Sequence, residues 1–124
     1  MENYISIKER ASKNIFFVDG LDSVKEATNL MKEHNLDAVF VNKRNQADAY
    51  GIVTISDIIN KVVVKNKSQE DVSIYEIMTK PTISIPADMN VKYVPRMLVN
   101  ASIQTAPIEE DGKYIGMVHL NQFI

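Results

Sequence analysis

The chain contains no cysteine. Disulfides, thiolate nucleophiles and cysteine-bound metals are therefore excluded. Nor does it carry an excess of one charge: 14 Lys and Arg stand against 16 Asp and Glu, a formal net charge of −2. Without a basic patch or tail, neither nucleic acid nor an anionic membrane is expected as a partner. No apolar run approaches the length of a membrane span, and the opening MENYISIKER lacks the apolar centre of a signal peptide. A cytoplasmic protein with no membrane insertion is expected. Catalytic motifs are missing as well. There is no Walker loop and no nucleophile elbow. His34 and His119 lie far apart, in no metal-binding spacing. Glu109-Glu110-Asp111 reads as a solvated hairpin turn in preference to a magnesium site. The chain is not expected to be an enzyme, and neither catalytic residues nor a metal are assigned.

What is present is an internal repeat. The 124 residues suit one compact domain or two very small ones, and 45% hydrophobic with 24% charged residues is ordinary for a folded protein. A shift of 67 residues, the separation of Ile7 from Ile74, also lays Glu9 on Glu76, Lys13 on Lys80, Val24 on Val91 and Lys25 on Lys92. Apolar character follows: Leu30 matches Met97, Met31 matches Leu98, Leu36 matches Ile103 and Val41 matches Ile108. Once a loop is shortened by two residues, Gly51 meets Gly116, Val53 meets Val118 and Ile59 meets Ile124.

Each half reads as β-α-β-β-α. A strand at 15–18, or 82–85, comes first. A helix follows; Ser23 and Glu26 have capping-box spacing, and Val24, Ala27, Leu30 and Met31 share one helical face. His34-Asn35 marks its end, because asparagine tolerates the left-handed turn. Strands at 38–41 and 50–53 come next, matched by 105–108 and 114–118 around the hairpin signal Asp111-Gly112. A second helix starts near Ser56 or Asn121. Ser73 and Glu76 again have capping-box spacing and predict a short helix. The fold class is mixed α/β (α+β): two repeats, about 7–64 and 74–124 with a connector at about 65–73, packed sheet to sheet about a pseudo-twofold axis as one unit. Pro95 falls past the first turn of a helix capped by Asn90. That helix either kinks or begins late.

GIVTISDIIN, residues 51–60, raises the functional question. Thr54, Ser56 and Asp57 stand where a buried strand hands over to a helix. Hydroxyls and carboxylates at a helix start are ordinary caps, and the local string alone favours that structural role. An ionised carboxylate also matches the paired hydroxyls of a ribose.

The whole layout resembles a CBS-domain pair, the regulatory module named after cystathionine beta-synthase. SVKEATNLMKEHNLDAVFV with YGIVTISDII carries the resemblance in the first half, and EIMTKPTISIPADMNV in the second. It implies a non-catalytic sensor binding AMP, ADP, ATP or S-adenosylmethionine in a cleft between the repeats, and a homodimer formed through helix faces. By the same resemblance Asp57 would bind ribose, Thr54 would lie near phosphate and Ile52 would border the base. Lys80, Pro81, Thr82 and Ile83 would form the adenine wall from the opposite repeat, with Gln104 and Thr105 on the phosphate side.

The second copy departs from this pattern. His119, Asn121 and Gln122 replace Thr54, Ser56 and Asp57, so a second site of Asn14, Ile15, Phe16, His119 and Gln122 is expected to be weak or empty. Pro95 makes the usual dimer geometry less secure. The chain stops at Ile124, the match of Ile59; either its last helix is short or the chain is a piece of a longer protein with an effector domain. The competing reading is a ligand-free module that dimerises or docks onto a partner protein.

Overall fold

In the computed structural model, which describes residues 4–81 and 83–124, the first helix runs Val24–His34 (α1). The Ser23 hydroxyl accepts the Glu26 N–H at 3.4 Å, filling one donor that a helix start leaves open. Asn35 ends the helix in the left-handed conformation, φ 55°. Beyond it the Leu36 N–H reaches back to the Met31 carbonyl at 2.8 Å. Val24, Ala27, Thr28 and Met31 form its buried face.

That face covers a three-stranded sheet of β1 (Phe17–Val18), β2 (Ala38–Val41) and β3 (Gly51–Thr54), in that order. The β1–β2 pairing is parallel, as a crossover through α1 requires, and β2–β3 is antiparallel. Val39, Val41 and Val53 join Val24, Ala27 and Met31 in one core. Phe40 alternates to the other face, where its ring meets Phe17 at 5.4 Å. The first strand is shorter than expected, because only Phe17 and Val18 are in register with β2.

The last helical element of this half is α2, a single turn over Ile55–Ile58. It opens into a wider turn over Ile59–Val63, where the Val64 N–H reaches the Ile59 carbonyl five residues back at 2.9 Å.

The second half repeats the plan with β4 (Ile85–Pro86), α3 (Val94–Asn100), β5 (Thr105–Glu110) and β6 (Lys113–His119). Asp111 and Gly112, at φ 53° and 77°, make the two-residue turn joining β5 to β6. Pro95 is accommodated by a late start. Asn90 caps a separate tight turn over Val91–Tyr93, and α3 begins only at Val94. Pro95 thus sits in the first turn, where no intrahelical N–H is needed. The final turn, Leu120–Phe123, is tight and short.

The chain forms two compact units: a central one, Ile15–Pro81, and a terminal one that joins the segment ending at Asn14 to the segment ending at Ile124. Ile74 is wholly buried in the core of the central unit, and its repeat match Ile7 is wholly buried in the core of the terminal unit. Residues 7–14 and 74–81 therefore pack away from the repeat each opens in sequence. Backbone bonds fix the placement: Ile7 N–H to Met89 O at 2.8 Å, and Ile74 N–H to Asp22 O at 2.9 Å.

Candidate functional site

Thr54, and not Ser56, caps α2. Its hydroxyl accepts the Asp57 N–H at 3.1 Å, and Asp57 Oδ2 accepts the Thr54 N–H at 3.0 Å. This reciprocal cap fixes the carboxylate against the backbone. Oδ1 lies 3.2 Å from Lys61 Nζ, one helical turn on. The same ammonium donates to the Ile77 carbonyl at 2.9 Å. The Asp57 side chain is only 14% exposed. A carboxylate has about four acceptor positions, so these two contacts leave about half of its capacity for a ligand's hydroxyls.

Alongside β3 runs a strap from the connector. Ile52 and Thr79 exchange both backbone bonds, at 2.8 and 3.0 Å. Gly51 permits the approach, since a Cβ there would meet the Met78 sulfur at 2.7 Å. The antiparallel register turns Ile77 toward the Thr54 end and Lys80 toward the start of β3. There Lys80 Nζ donates to the Ala49 carbonyl at 2.6 Å and to Asp48 Oδ1 at 3.1 Å. The Asp48 carboxyl is held well below the usual carboxylate range, first by the Arg44 backbone N–H and next by Lys80. Lys80 is thus an anchor of the β2–β3 loop.

The terminal unit has the same strap. Ser12 and Met117 exchange bonds at 2.8 and 3.0 Å, and a Cβ on Gly116 would lie 2.8 Å from Ala11 Cβ and 2.9 Å from the Ser12 carbonyl. At its helix start the Gln122 Oε1 accepts the His119 N–H at 2.6 Å, and Nε2 donates to the Arg10 carbonyl at 2.9 Å. Gln122 is exposed.

The central unit thus holds Ile52, Thr54, Asp57, Lys80 and Pro81, together with Ile15 and Phe16; the terminal unit holds Ile83, Gln104, Thr105, Asn14, His119 and Gln122. Thr82 lies outside the described residues. Lys80 and Pro81, expected from the repeat opposite Asp57, fold in the same unit as Asp57. Phe16 stacks on His34, with ring centroids 4.0 Å apart, and packs against the central core. Lys61 was not among the sequence candidates, although an Asp with Lys four residues on is a readable helical pair. The Lys61–Ile77 and Lys80–Asp48 contacts have no such local signature.

A second feature of the central unit is an apolar groove of about 540 Å³ between α1 and α2, with Met31, Leu36, Ile55, Ile58, Ile59 and Val63 in its lining. Ile55, Ile59 and Val63 are 44 to 49% exposed. Among the described residues no cluster of His, Asp and Glu is arranged to hold a metal ion, and no helix is long and apolar enough to cross a membrane.

The family model for the CBS domain matches residues 7–64 and again 74–124. An uncharacterized protein of Methanopyrus kandleri is 30% identical over 122 residues; the match covers 97% of this chain and 61% of that protein, so the chain spans less than two thirds of this relative. Among solved structures, a hexameric CBS-CP12 protein from bloom-forming cyanobacteria superposes with a TM-score of 0.89 at 30% identity, covering 98% of this chain and 67% of that one. A CBS domain pair solved in complex with 5′-methylthioadenosine and S-adenosyl-L-methionine superposes with a TM-score of 0.78 at 25% identity, covering 96% of each chain. With two complete copies matched and the paired three-stranded sheets shared, the chain belongs to the CBS domain family, regulatory and usually non-catalytic modules, as a tandem pair.

Proposed function

We propose that the chain is a non-catalytic regulatory module that binds an adenosine-containing ligand, AMP, ADP, ATP or S-adenosylmethionine, through Asp57. One observation carries this reading. The Asp57 carboxylate is fixed in place by the cap and by Lys61, and it keeps acceptor capacity at the end of β3. Two vicinal hydroxyls of a ribose match that carboxylate in number and in donor character. Ile52 supplies an apolar neighbour suited to a base, with Pro81 two residues beyond its strap partner. The CBS pair solved with two adenosyl compounds supports the ligand class. Gln122, neutral and exposed, makes the matching site of the terminal unit the weaker one. Binding would regulate by favouring one conformation over another, and so altering the surface a partner meets.

Calorimetric titration with AMP, ADP, ATP, S-adenosylmethionine and 5′-methylthioadenosine tests the reading. Saturable binding is expected near one ligand per chain, and it should be lost in Asp57→Ala. Folded protein that binds none of the five would leave Thr54 and Asp57 as caps alone.

The groove between α1 and α2 supports a second reading, self-association or docking through this face. Ile55, Ile59 and Val63 recur at one-turn spacing and are half exposed. Ile59→Glu should then lower the solution mass to that of a monomer while the fold persists. An unchanged mass would remove this face as a self-association interface.

A further inference from the structure

Lys61 sits at the Asp57 carboxylate without being a free cation. Its ammonium is held at two points, Asp57 Oδ1 at 3.2 Å and the Ile77 carbonyl at 2.9 Å. The second anchor is rigid. Ile77 is 2% exposed, and its own N–H is tied to the Ile74 carbonyl at 3.1 Å. Lys61 lies in the widened turn that follows α2, so the single turn bearing Asp57 is braced to the base of the strap. Its side chain is 39% exposed, against 14% for Asp57. The pair is therefore partly desolvated before any ligand arrives.

We propose that Lys61 is a positioning residue for ribose recognition. It aims Asp57 Oδ1 and keeps the carboxylate charge compensated when a nucleoside covers it. The inference rests on the adenosyl reading above. A carboxylate that accepts two hydroxyls must stay ionised while the ligand excludes water. An ionised group sealed without a partner is costly, whereas one already paired is not left alone. Lys61 supplies that partner from the side and leaves the remaining acceptor positions open. Because it acts at the ribose end, its effect should not depend on what the 5′ carbon carries.

The test is calorimetry on the full chain with 5′-methylthioadenosine, its 2′-deoxy analogue and ATP, comparing wild type with Lys61→Met, Lys61→Gln and Lys61→Arg. Lys61→Gln keeps a donor for the Ile77 carbonyl and removes the charge. Thermal unfolding checks that each variant is folded. Both neutral variants should bind 5′-methylthioadenosine and ATP about ten-fold more weakly, the size of one charge-assisted hydrogen bond. The 2′-deoxy analogue covers the same carboxylate with one hydroxyl fewer, so it should lose affinity by a smaller factor, and Lys61→Arg should recover most of the affinity. An equal loss for the deoxy analogue would reduce Lys61 to a structural brace and overturn the proposal. A loss that grows with phosphate number would make Lys61 a phosphate cation, and unchanged affinity in Lys61→Gln would remove charge compensation; either overturns it too. Wild type that binds none of the ligands would overturn the adenosyl reading itself, an outcome distinct from those three.

Discussion

At the start of α2 a carboxylate oxygen of Asp57 accepts the Thr54 N–H; after β6 the amide oxygen of Gln122 accepts the His119 N–H in the same way. The backbone requirement is met at both places, and the chemistry left over differs. Gln122 commits its other end to the Arg10 carbonyl and stands in solvent. Asp57 is mostly buried, ionic and paired with Lys61. Capping and a tie to the Arg10 carbonyl account for both ends of the Gln122 amide. Capping does not account for a partly desolvated carboxylate paired with an anchored lysine. The comparison separates the two helix starts by charge and burial, because the side-chain acceptor for the backbone N–H is common to both copies.

Three sets of substitutions break or sharpen that comparison. The largest effect is expected in the cores. Ile7→Ala and Ile74→Ala each empty a wholly buried position and should cost about 2–5 kcal/mol. The damage should cross the sequence repeats. Hydrogen exchange should accelerate in β4, β5 and β6 for Ile7→Ala, and in β1, β2 and β3 for Ile74→Ala. Acceleration confined to each residue's own repeat would refute the exchanged entry segments.

The strap glycines should separate the units next, by about 1–3 kcal/mol of overpacking. Gly116→Ala drives a Cβ onto the Ser12 carbonyl and Ala11 Cβ, whereas Gly51→Ala meets the end of the flexible Met78 side chain first. Chemical denaturation should therefore find Gly116→Ala the more damaging; the reverse order would show that the Ser12 strap yields easily.

The smallest stability effect belongs to Gln122→Asp. An acid in the first turn keeps an acceptor for the His119 N–H, so the change should stay within about 1 kcal/mol. It converts the weaker helix start toward the Asp57 chemistry. The neighbouring group still differs, because the position 122 side chain faces the Arg10 carbonyl where Asp57 faces the Lys61 ammonium. If Lys61 matters as proposed, Gln122→Asp should not gain affinity equal to that at Asp57. Calorimetry with 5′-methylthioadenosine on the Asp57→Ala, Gln122→Asp double variant measures this directly, and full recovery of binding would argue that a carboxylate alone suffices.

Much of the fold was legible from local chemistry. Ser23, Glu26 and Asn35 delimit α1 because capping acts over three or four residues. Asp111-Gly112 names the β5–β6 turn through the positive φ that both positions adopt. Strand limits were less accurate: 50–53 moved to Gly51–Thr54, and of the strand expected at 82–85 the described residues 83 and 84 lie outside Ile85–Pro86, since strand ends are decided by the partner's register. Of the site, Asp57 and Thr54 were visible as a pattern. The contacts of Lys80 with Asp48 and Ala49 were not legible, because those partners come from a loop 32 and 31 residues away.

By itself the sequence determined the repeat, the order of elements in each copy, and the charge difference between Asp57 and Gln122. The repeat is visible as a recurrence of residue types at a 67-residue shift, and the other two properties reside in single residues or in periodicities a few residues long. Tertiary structure alone decided that residues 7–14 and 74–81 pack in the unit that their own repeat does not form, and that Lys61 reaches from Asp57 to Ile77. Both depend on backbone groups. Every residue carries the same N–H and C=O (proline excepted), so no residue type announces which distant carbonyl will be met.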